Sequence, residues 1–156
     1  MSAMALEIER KFLVEPSKLP PLEGGAAMRQ GYLSLRPTVR IRLAVEAGER
    51  SARLTVKGPG RISREEFEYE VPTEDGEAMF ALCESRLEKT RFRLGRWEVD
   101  RFEGTLAGLW LAECELSSED EPLPEGGPWL GREVTGDSSF SNARLAARAV
   151  APRSAE

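Results

Sequence analysis

Apolar and polar residues alternate with a period of two along most of the chain, which is the spacing of β-strands. The alternation predicts about eight strands, separated by turns that contain glycine or proline. The predicted strands cover residues 6–14, 28–35, 39–45, 51–57, 65–71, 87–94, 97–102 and 109–116.

Helical spacing interrupts this pattern in two places. Residues 74–86 carry apolar side chains at Met79, Leu82 and Cys83, with Thr73 as the predicted N-cap, and a second short helix is predicted over residues 140–149. Many antiparallel strands with few helices indicate an α+β fold built on a β-barrel or a strongly curled sheet. With no internal repeat and no long linker, residues 1–156 are expected to form a single domain.

The polar faces of the predicted strands carry charge in blocks of one sign. Glu7 and Glu9 share a face of the first strand, whereas Arg40 and Arg42 share a face of the third. A charged outer surface in contact with water is one explanation. In a closed barrel, the same charges would line the interior and the apolar faces would pack outward against helices and loops. Because enclosed charges are costly unless they are matched, such an interior would be a binding site.

Composition narrows the possible chemistry. The chain has no histidine, which excludes Ser-His and Cys-His nucleophilic pairs and histidine-based zinc sites. Any bound metal should therefore be a hard cation with oxygen ligands, such as Mg²⁺ or Mn²⁺. The net charge of -5 argues against broad binding to nucleic acid or to anionic membranes.

Two further features favour a soluble cytoplasmic protein. No secretory signal is recognisable, and the longest apolar stretch, residues 106–112, is far shorter than the ~20 residues of a membrane span. Cys83 and Cys114 form no metal or redox motif and are expected to be reduced thiols in the core.

The strongest local motif is Glu7-Ile8-Glu9-Arg10-Lys11. On a strand, Glu7, Glu9 and Lys11 lie in a row, with alternate side chains ~7 Å apart. Two such carboxylates could chelate a hard divalent ion, and the amine could bind an anionic substrate or activate a water molecule. The same motif also fits an ordinary strand with a charged outer face, so its meaning depends on the rest of the chain.

Other motifs follow this one in a fixed order. They are EIERKFLV, RQGYL, VRIR, LTVKG, REEFEYEVP, KTRF, WEVDRF, AECEL and WLGREVTGDSSFSN. As an ordered set covering roughly residues 6–147, they resemble the CYTH superfamily of triphosphate tunnel metalloenzymes, in particular its small bacterial inorganic triphosphatases.

This resemblance implies an eight-stranded antiparallel β-barrel tunnel with flanking helices, and it implies roles for individual residues. The metal-binding acids would be Glu7, Glu9, Glu113 and Glu115, with Asp100 as a further candidate. The phosphate-binding residues would be Arg40, Arg42, Lys57, Lys89 and Arg91. Lys11 resembles the residue that activates the attacking water, and Tyr32 matches a tyrosine that is paired with it; which of the two acts as the base stays open.

Several assignments keep an alternative. Asp100 could pair with Arg91 instead of contacting metal, and at least one of Glu66, Glu68 and Glu70 is expected to neutralise a barrel arginine. Lys11 could act as a base only if its pKa fell. Neighbouring cations would lower that pKa, whereas nearby glutamates would raise it unless they held metal.

The expected activity is metal-dependent hydrolysis of inorganic tripolyphosphate to pyrophosphate and phosphate. The lack of histidine is no obstacle, because phosphoryl transfer depends mainly on positioning and electrostatic stabilisation. The alternatives are a class IV-type adenylate cyclase, a thiamine or nucleoside triphosphatase, a non-catalytic polyphosphate-binding module, and a barrel whose interior charges are purely structural. The expected partner is a small-molecule polyphosphate, with no nucleic acid and no membrane; the sequence leaves the oligomeric state undetermined.

Overall fold

A computed structural model describes residues 6–150, which contain nine β-strands, two α-helices and three short 3-10 turns. The strands are β1 (Leu6–Val14), β2 (Ala26–Leu35), β3 (Thr38–Glu46), β4 (Glu49–Lys57), β5 (Ser63–Glu70), β6 (Ser85–Leu94), β7 (Trp97–Phe102), β8 (Trp110–Glu115) and β9 (Leu130–Glu133). The helices are α1 (Thr73–Ala81) and α2 (Asn142–Val150), and the 3-10 turns are Pro16–Lys18, Gly104–Leu106 and Ser138–Phe140.

Eight of the strands close into an antiparallel barrel. They neighbour one another in the order β5-β4-β3-β2-β6-β7-β8-β1, and the ring closes where β1 pairs with β5. One edge of β1 pairs with β8, while the other edge is shared between β5 near its start and β9 near its end. The predicted fold, an α+β protein with an eight-stranded antiparallel barrel and flanking helices, is therefore confirmed.

The outward-facing side of β1 is apolar and is covered by a long loop. Ile8 and Phe12 pack in a buried cluster with Trp97 and with Trp129, which lies at the end of the loop that leads from β8 to β9. The ring centroids of Phe12 and Trp97 are 5.6 Å apart, and those of Trp97 and Trp129 are 5.8 Å apart, both edge-to-face. The apolar strand faces thus pack outward, as the closed-barrel interpretation requires.

Helix α1 also packs on the outside of the barrel, and it is shorter than predicted. Gly76 lies against Ala52 and Leu43, where a larger side chain would collide with the sheet. The prediction of a helix through residue 86 was wrong, because β6 already begins at Ser85 and pairs with β2. The predicted N-cap was also wrong: Thr73 is the first helical residue and follows Pro72.

Helix α2 packs against side chains of the barrel interior. Each of three apolar residues lies two positions from an enclosed charged residue of the same strand: Leu87 from Lys89, Phe102 from Asp100 and Leu111 from Glu113. Side chains two positions apart on a strand share a face, so these three also point inward. Leu145 and Ala146 are fully buried in the same cluster. The helix predicted over 140–149 is confirmed from Asn142 onward, with the preceding residues in a 3-10 turn.

Three further observations bear on the sequence-based expectations. Strand β9 was not predicted. Cys83 and Cys114 are buried and not joined in a disulfide. Within residues 6–150, no helix combines the length and the apolar character that crossing a membrane requires.

Candidate active site

A cavity of about 560 Å³ occupies the interior of the barrel, and its walls are mostly charged. The structure brings nearly all of the predicted site residues together in this central cavity. Those that line it are Glu7, Glu9, Lys11, Tyr32, Arg40, Arg42, Lys57, Lys89, Arg91, Glu113 and Glu115. Asp100 is the one predicted site residue that is not part of the lining.

The pairing of β1 with β8 places one pair of like charges and one pair of opposite charges next to each other. Glu9 lies directly opposite Glu115, while Lys11 lies directly opposite Glu113. The Lys11 Nζ is 3.5 Å from the Glu113 carboxylate, so this pair is attractive. Neither Glu9 nor Glu115 forms an ion pair with any cation within residues 6–150. Two like charges at directly opposed positions destabilise a sheet.

The repulsion among these acids is visible in their pKa values. Burial raises the pKa of Glu9 to about 8, and the nearby carboxylates of Glu113 and Glu7 add to the rise. Burial also raises the pKa of Glu115, again with help from Glu7. Glu113 differs: burial pushes its pKa up, but Lys11 and the neighbouring basic groups outweigh this and hold it well below its usual range.

A second pair of acids touches on the opposite side of β1. The Glu7 and Glu66 carboxyl groups are hydrogen-bonded to each other. Burial and this contact raise the pKa of Glu66 to about 7. Lys57 partly compensates both acids, since its Nζ donates to Glu7 at 2.9 Å and lies 3.5 Å from Glu66.

Lys11 is held at one end of this acidic row. Its Nζ donates a hydrogen bond to the backbone carbonyl of Phe140 at 3.0 Å. Burial favours the neutral amine, but the carboxylates of Glu113 and Glu9 outweigh burial and raise the pKa of Lys11. In this arrangement the side chain is an ammonium group, the opposite of what a general base requires.

Most cations of the cavity are held by carboxylates. The Arg40 Nη2 donates to the Thr55 hydroxyl at 3.2 Å and lies 3.6 Å from Glu68. Glu68 also binds Arg53 at 2.9 Å, so it neutralises arginine, as was expected of at least one acid of β5. Arg91 lies 3.3 Å from the Glu98 carboxylate, which is at the rim of the cavity.

Asp100 is buried beneath the lining and is engaged by cations. Its carboxylate accepts hydrogen bonds from Lys89 Nζ at 2.7 Å and from Arg91 Nε and Nη2 at 2.8 and 2.9 Å. Although burial opposes ionisation, these two cations lower the pKa of Asp100 to about 2. The carboxylate thus fixes two of the predicted phosphate-binding side chains.

Arg42 is the exception among the five predicted phosphate-binding residues. Within residues 6–150 it has no ion-pair partner, and its Nε donates instead to the neutral Gln30 side chain at 2.8 Å. Burial and the nearby guanidinium groups of Arg40 and Arg91 lower the pKa of Arg42 to about 9. Its positive charge is therefore available to an anion in the cavity.

Comparisons with known proteins agree with this geometry. An inorganic triphosphatase from Acetivibrio thermocellus is 40% identical to this chain over 151 residues, covering 91% of this chain and 94% of the relative. The chain belongs to the inorganic triphosphatase family. A second relative, an inorganic triphosphatase from Nitrosomonas europaea, is 38% identical over 90% of this chain and 96% of its own length.

The fold comparison points to the same inorganic triphosphatase family. The crystal structure of the inorganic triphosphatase NE1496 superposes with a TM-score of 0.59 and 32% identity, covering 97% of both chains. No protein-family model matches the chain. The family expected from the ordered motifs is confirmed by these relatives.

The donor set of this family member suits a hard divalent cation. Glu9 and Glu115 form no ion pair within the described part of the chain, and burial together with neighbouring carboxylates raises the pKa of both, more than nearby lysines lower it. No group of three or more acidic or sulfur side chains within residues 6–150 is arranged as a complete metal site. Mg²⁺, however, is commonly bound by one or two carboxylates together with substrate phosphates, so a partial protein site fits it.

The sequence analysis missed several residues of the site. Gln30 and Asn142 connect basic side chains in the cavity, while Ser138, Ser141 and Arg144 line it near the start of α2. Gln30 could have been found, because it lies two residues before Tyr32 and therefore on the same strand face. The others depend on how α2 packs against the barrel, which local patterns do not encode.

Proposed function

We propose that this protein hydrolyses inorganic tripolyphosphate to pyrophosphate and phosphate, with a divalent metal ion, Mg²⁺ or Mn²⁺, held in the central cavity. The observation that carries the proposal is that the cavity contains both a cation and acids that have no ion-pair partner within residues 6–150. In that part of the chain, Arg42 is a cation without a carboxylate partner, and Glu9 and Glu115 are acids without a cationic partner. The names of the relatives support a triphosphate as the substrate.

The basic residues would bind the phosphate groups. A linear triphosphate carries several negative charges and requires several cationic contacts, which the cavity offers on strands β3, β4 and β6. The proposed phosphate-binding residues are Arg40, Arg42, Lys57, Lys89 and Arg91. Asp100 is assigned to orienting Lys89 and Arg91, because both of its oxygens already accept hydrogen bonds from them.

The acids of β1 and β8 would hold the metal. The proposed ligands are drawn from Glu7, Glu9, Glu113 and Glu115. When bound, a divalent ion would offset the charge on the phosphoryl oxygens and polarise the phosphorus. Lys11 and Tyr32 line the cavity beside these acids and are the candidates for orienting and activating the attacking water. Lys11 could act as a base only if metal bound to Glu9 and Glu113 offset the charge that now raises its pKa.

A cytoplasmic location and a small-molecule polyphosphate partner belong to the same proposal. A chain with a net charge of -5 that encloses a cluster of basic residues in its barrel would attract small anions into the cavity without presenting a strongly basic surface to nucleic acid.

Phosphate release is the experiment that tests the proposal. Tripolyphosphate, pyrophosphate, ATP and thiamine triphosphate would be compared with Mg²⁺, with Mn²⁺ and with a chelator. We expect metal-dependent release that is strongest from tripolyphosphate and at least ~100-fold slower in Glu9→Gln and in Lys11→Ala, because each removes a charge from the reacting centre. Glu88→Gln, the same chemical change as Glu9→Gln on an exposed residue, serves as the control.

Other outcomes would replace this function with an alternative. Tight binding of tripolyphosphate without turnover of any substrate would indicate a binding module. Formation of cyclic AMP from ATP would indicate a cyclase, and preferred turnover of ATP or thiamine triphosphate would indicate a site for the organic group. Full activity in the presence of chelator would exclude the metal.

A further inference from the structure

Two neutral amide side chains connect basic residues that line the cavity. Gln30 on β2 has no solvent exposure, and Asn142 is the first residue of α2. The Gln30 Oε1 accepts a hydrogen bond from Arg42 Nε at 2.8 Å, while its Nε2 donates to Asn142 Oδ1 at 3.4 Å. The same Asn142 oxygen accepts from Lys89 Nζ at 3.0 Å.

Arg42 and Lys89, at the two ends of this row of hydrogen bonds, fix the orientation of both amides. Arginine and lysine side chains can only donate hydrogen bonds, so Gln30 must turn its oxygen toward Arg42 and Asn142 must turn its oxygen toward Lys89. The amide nitrogen of Gln30 is then left facing the Asn142 oxygen, to which it donates. All the hydrogen bonds are therefore satisfied in one arrangement and would not be satisfied if either amide were flipped.

Local structure places both amides at these positions. Gln30 is on the inward face of β2, two residues from Tyr32. Asn142 begins α2 because the Ser141 hydroxyl caps the helix, accepting a hydrogen bond from the Arg144 backbone N–H at 3.2 Å. The Asn142 side chain thus links the packing of α2 to the orientation of Lys89 and, through Gln30, of Arg42.

We propose that Gln30 and Asn142 are positioning residues, which orient Arg42 and Lys89 toward a triphosphate without adding negative charge to the cavity. This inference rests on the proposed function. The contrast with the other cations supports it for Arg42, because Arg40, Lys57 and Arg91 are each oriented by carboxylates, which take up part of their charge. Lys89 is also bound by the Asp100 carboxylate, and Asn142 is its second, neutral partner. An amide orients a guanidinium equally well and leaves its attraction for phosphate intact.

The test measures KM and kcat for tripolyphosphate in variants of both residues. Gln30→Leu and Asn142→Leu remove the amide at similar side-chain size. Each should raise KM by about tenfold or more, because a hydrogen bond to a charged group contributes on the order of one to two tenfold steps; kcat should change less. The double variant should raise KM by less than the product of the two single effects, since both residues act through one chain of hydrogen bonds.

Gln30→Glu separates orientation from charge and also covers the case in which the leucine variants fail to fold. A carboxylate at this position keeps the acceptor for Arg42 but neutralises it, and it loses the hydrogen bond that the amide donates to Asn142. The new ion pair with Arg42 should offset that loss, so we expect a nearly unchanged Tm together with a KM raised by about tenfold. Arg148→Gln, on the exposed side of α2, is the control and should leave both values unchanged.

The outcomes separate this inference from the proposed function. If the unaltered protein does not hydrolyse tripolyphosphate, the proposed function fails, and calorimetric binding of tripolyphosphate to the same variants tests the positioning role. If the unaltered protein is active but Gln30→Glu and Asn142→Leu keep its KM, the positioning role is wrong. It is also wrong if the variants lower only the Tm, or if Arg148→Gln raises KM to the same extent.

Discussion

Replacing Asp100 by asparagine distinguishes a metal ligand from a structural carboxylate. Asp100 and Lys89 are each about 1% exposed, and Asp100 also binds Arg91, so the substitution leaves two enclosed cations without their shared partner. The asparagine oxygen can replace only part of the three hydrogen bonds that the carboxylate accepts, and its NH₂ group would face a donor.

The expected loss of stability follows from these contacts. Removing one partner of a buried ion pair costs about 3–5 kcal/mol, and losing two hydrogen bonds to charged groups gives a similar figure. Burial lowers the pKa of Lys89 to about 7, so this amine can lose its proton once Asp100 is gone, which relieves part of the penalty. We therefore expect a loss near the lower limit, about 3 kcal/mol, or roughly 6–12 °C in Tm for a chain of this length.

Urea unfolding and thermal unfolding in the presence of chelator would measure this effect without any contribution from metal. Glu98→Gln is the matched control: it also removes a partner of Arg91, at 3.3 Å, but Glu98 is 31% exposed and should contribute less than ~1 kcal/mol. A carboxylate that served only to bind metal would be an unneeded buried charge in the metal-free protein. Asp100→Asn would then unfold at the same or a higher urea concentration, and that result would refute the structural role.

Two further substitutions test the packing of the barrel. Leu145→Ala removes a fully buried side chain of α2 and should destabilise the protein by about 2–5 kcal/mol in urea unfolding. It should also raise the KM for tripolyphosphate, because the same helix carries Asn142, which binds Lys89. An unchanged KM would mean that the packing of α2 does not affect the orientation of Lys89. Arg10→Gln breaks a bidentate pair with Glu133 between β1 and β9, but the two side chains are 31% and 35% exposed, so the loss should be below ~1 kcal/mol and should shrink further in high salt. A larger, salt-independent loss would contradict this estimate.

Local alternation of side chains was sufficient to predict most of the barrel. The predicted strands 6–14 and 97–102 have the same bounds as β1 and β7, because apolar and charged side chains alternate over most of each strand. The extension of α1 to residue 86 failed for a non-local reason. Residues 85–91 pair with β2, and this pairing overrides the helical spacing of the preceding segment.

Strand β9 illustrates a second limit of local patterns. Its four residues are too few to show an alternation, and it forms because it pairs with the part of β1 that β5 leaves free. Trp129, directly before it, packs against Trp97 and holds the segment in place. Both causes lie more than thirty residues away in sequence, so no window along the chain contains them.

The candidate site was predictable as a set of residues but not as a network. The alternation identified which side chains share a face, and the resemblance to triphosphate tunnel enzymes assigned them to metal or phosphate. Whether Lys11 meets an acid depends on the register of β1 and β8, because a shift by two residues that placed Glu9 opposite Glu113 would leave Lys11 opposite Leu111. The role of Asn142 depends on the packing of a helix against the barrel and carried no signal in the sequence.

The pattern of paired and unpaired charges argues against a purely structural interior. Ion pairs such as Lys57 with Glu7 could stabilise an empty barrel by themselves. Arg42 on one side and Glu9 and Glu115 on the other have no such partner within residues 6–150, and apolar residues at these positions would be less costly. An anion alone would pair with Arg42 but would be repelled by the two acids. A cation alone would pair with the acids but would be repelled by Arg42. A triphosphate bound together with a divalent cation satisfies both, which is why the unpaired charges favour a metal-dependent phosphate site over a simple anion-binding cavity.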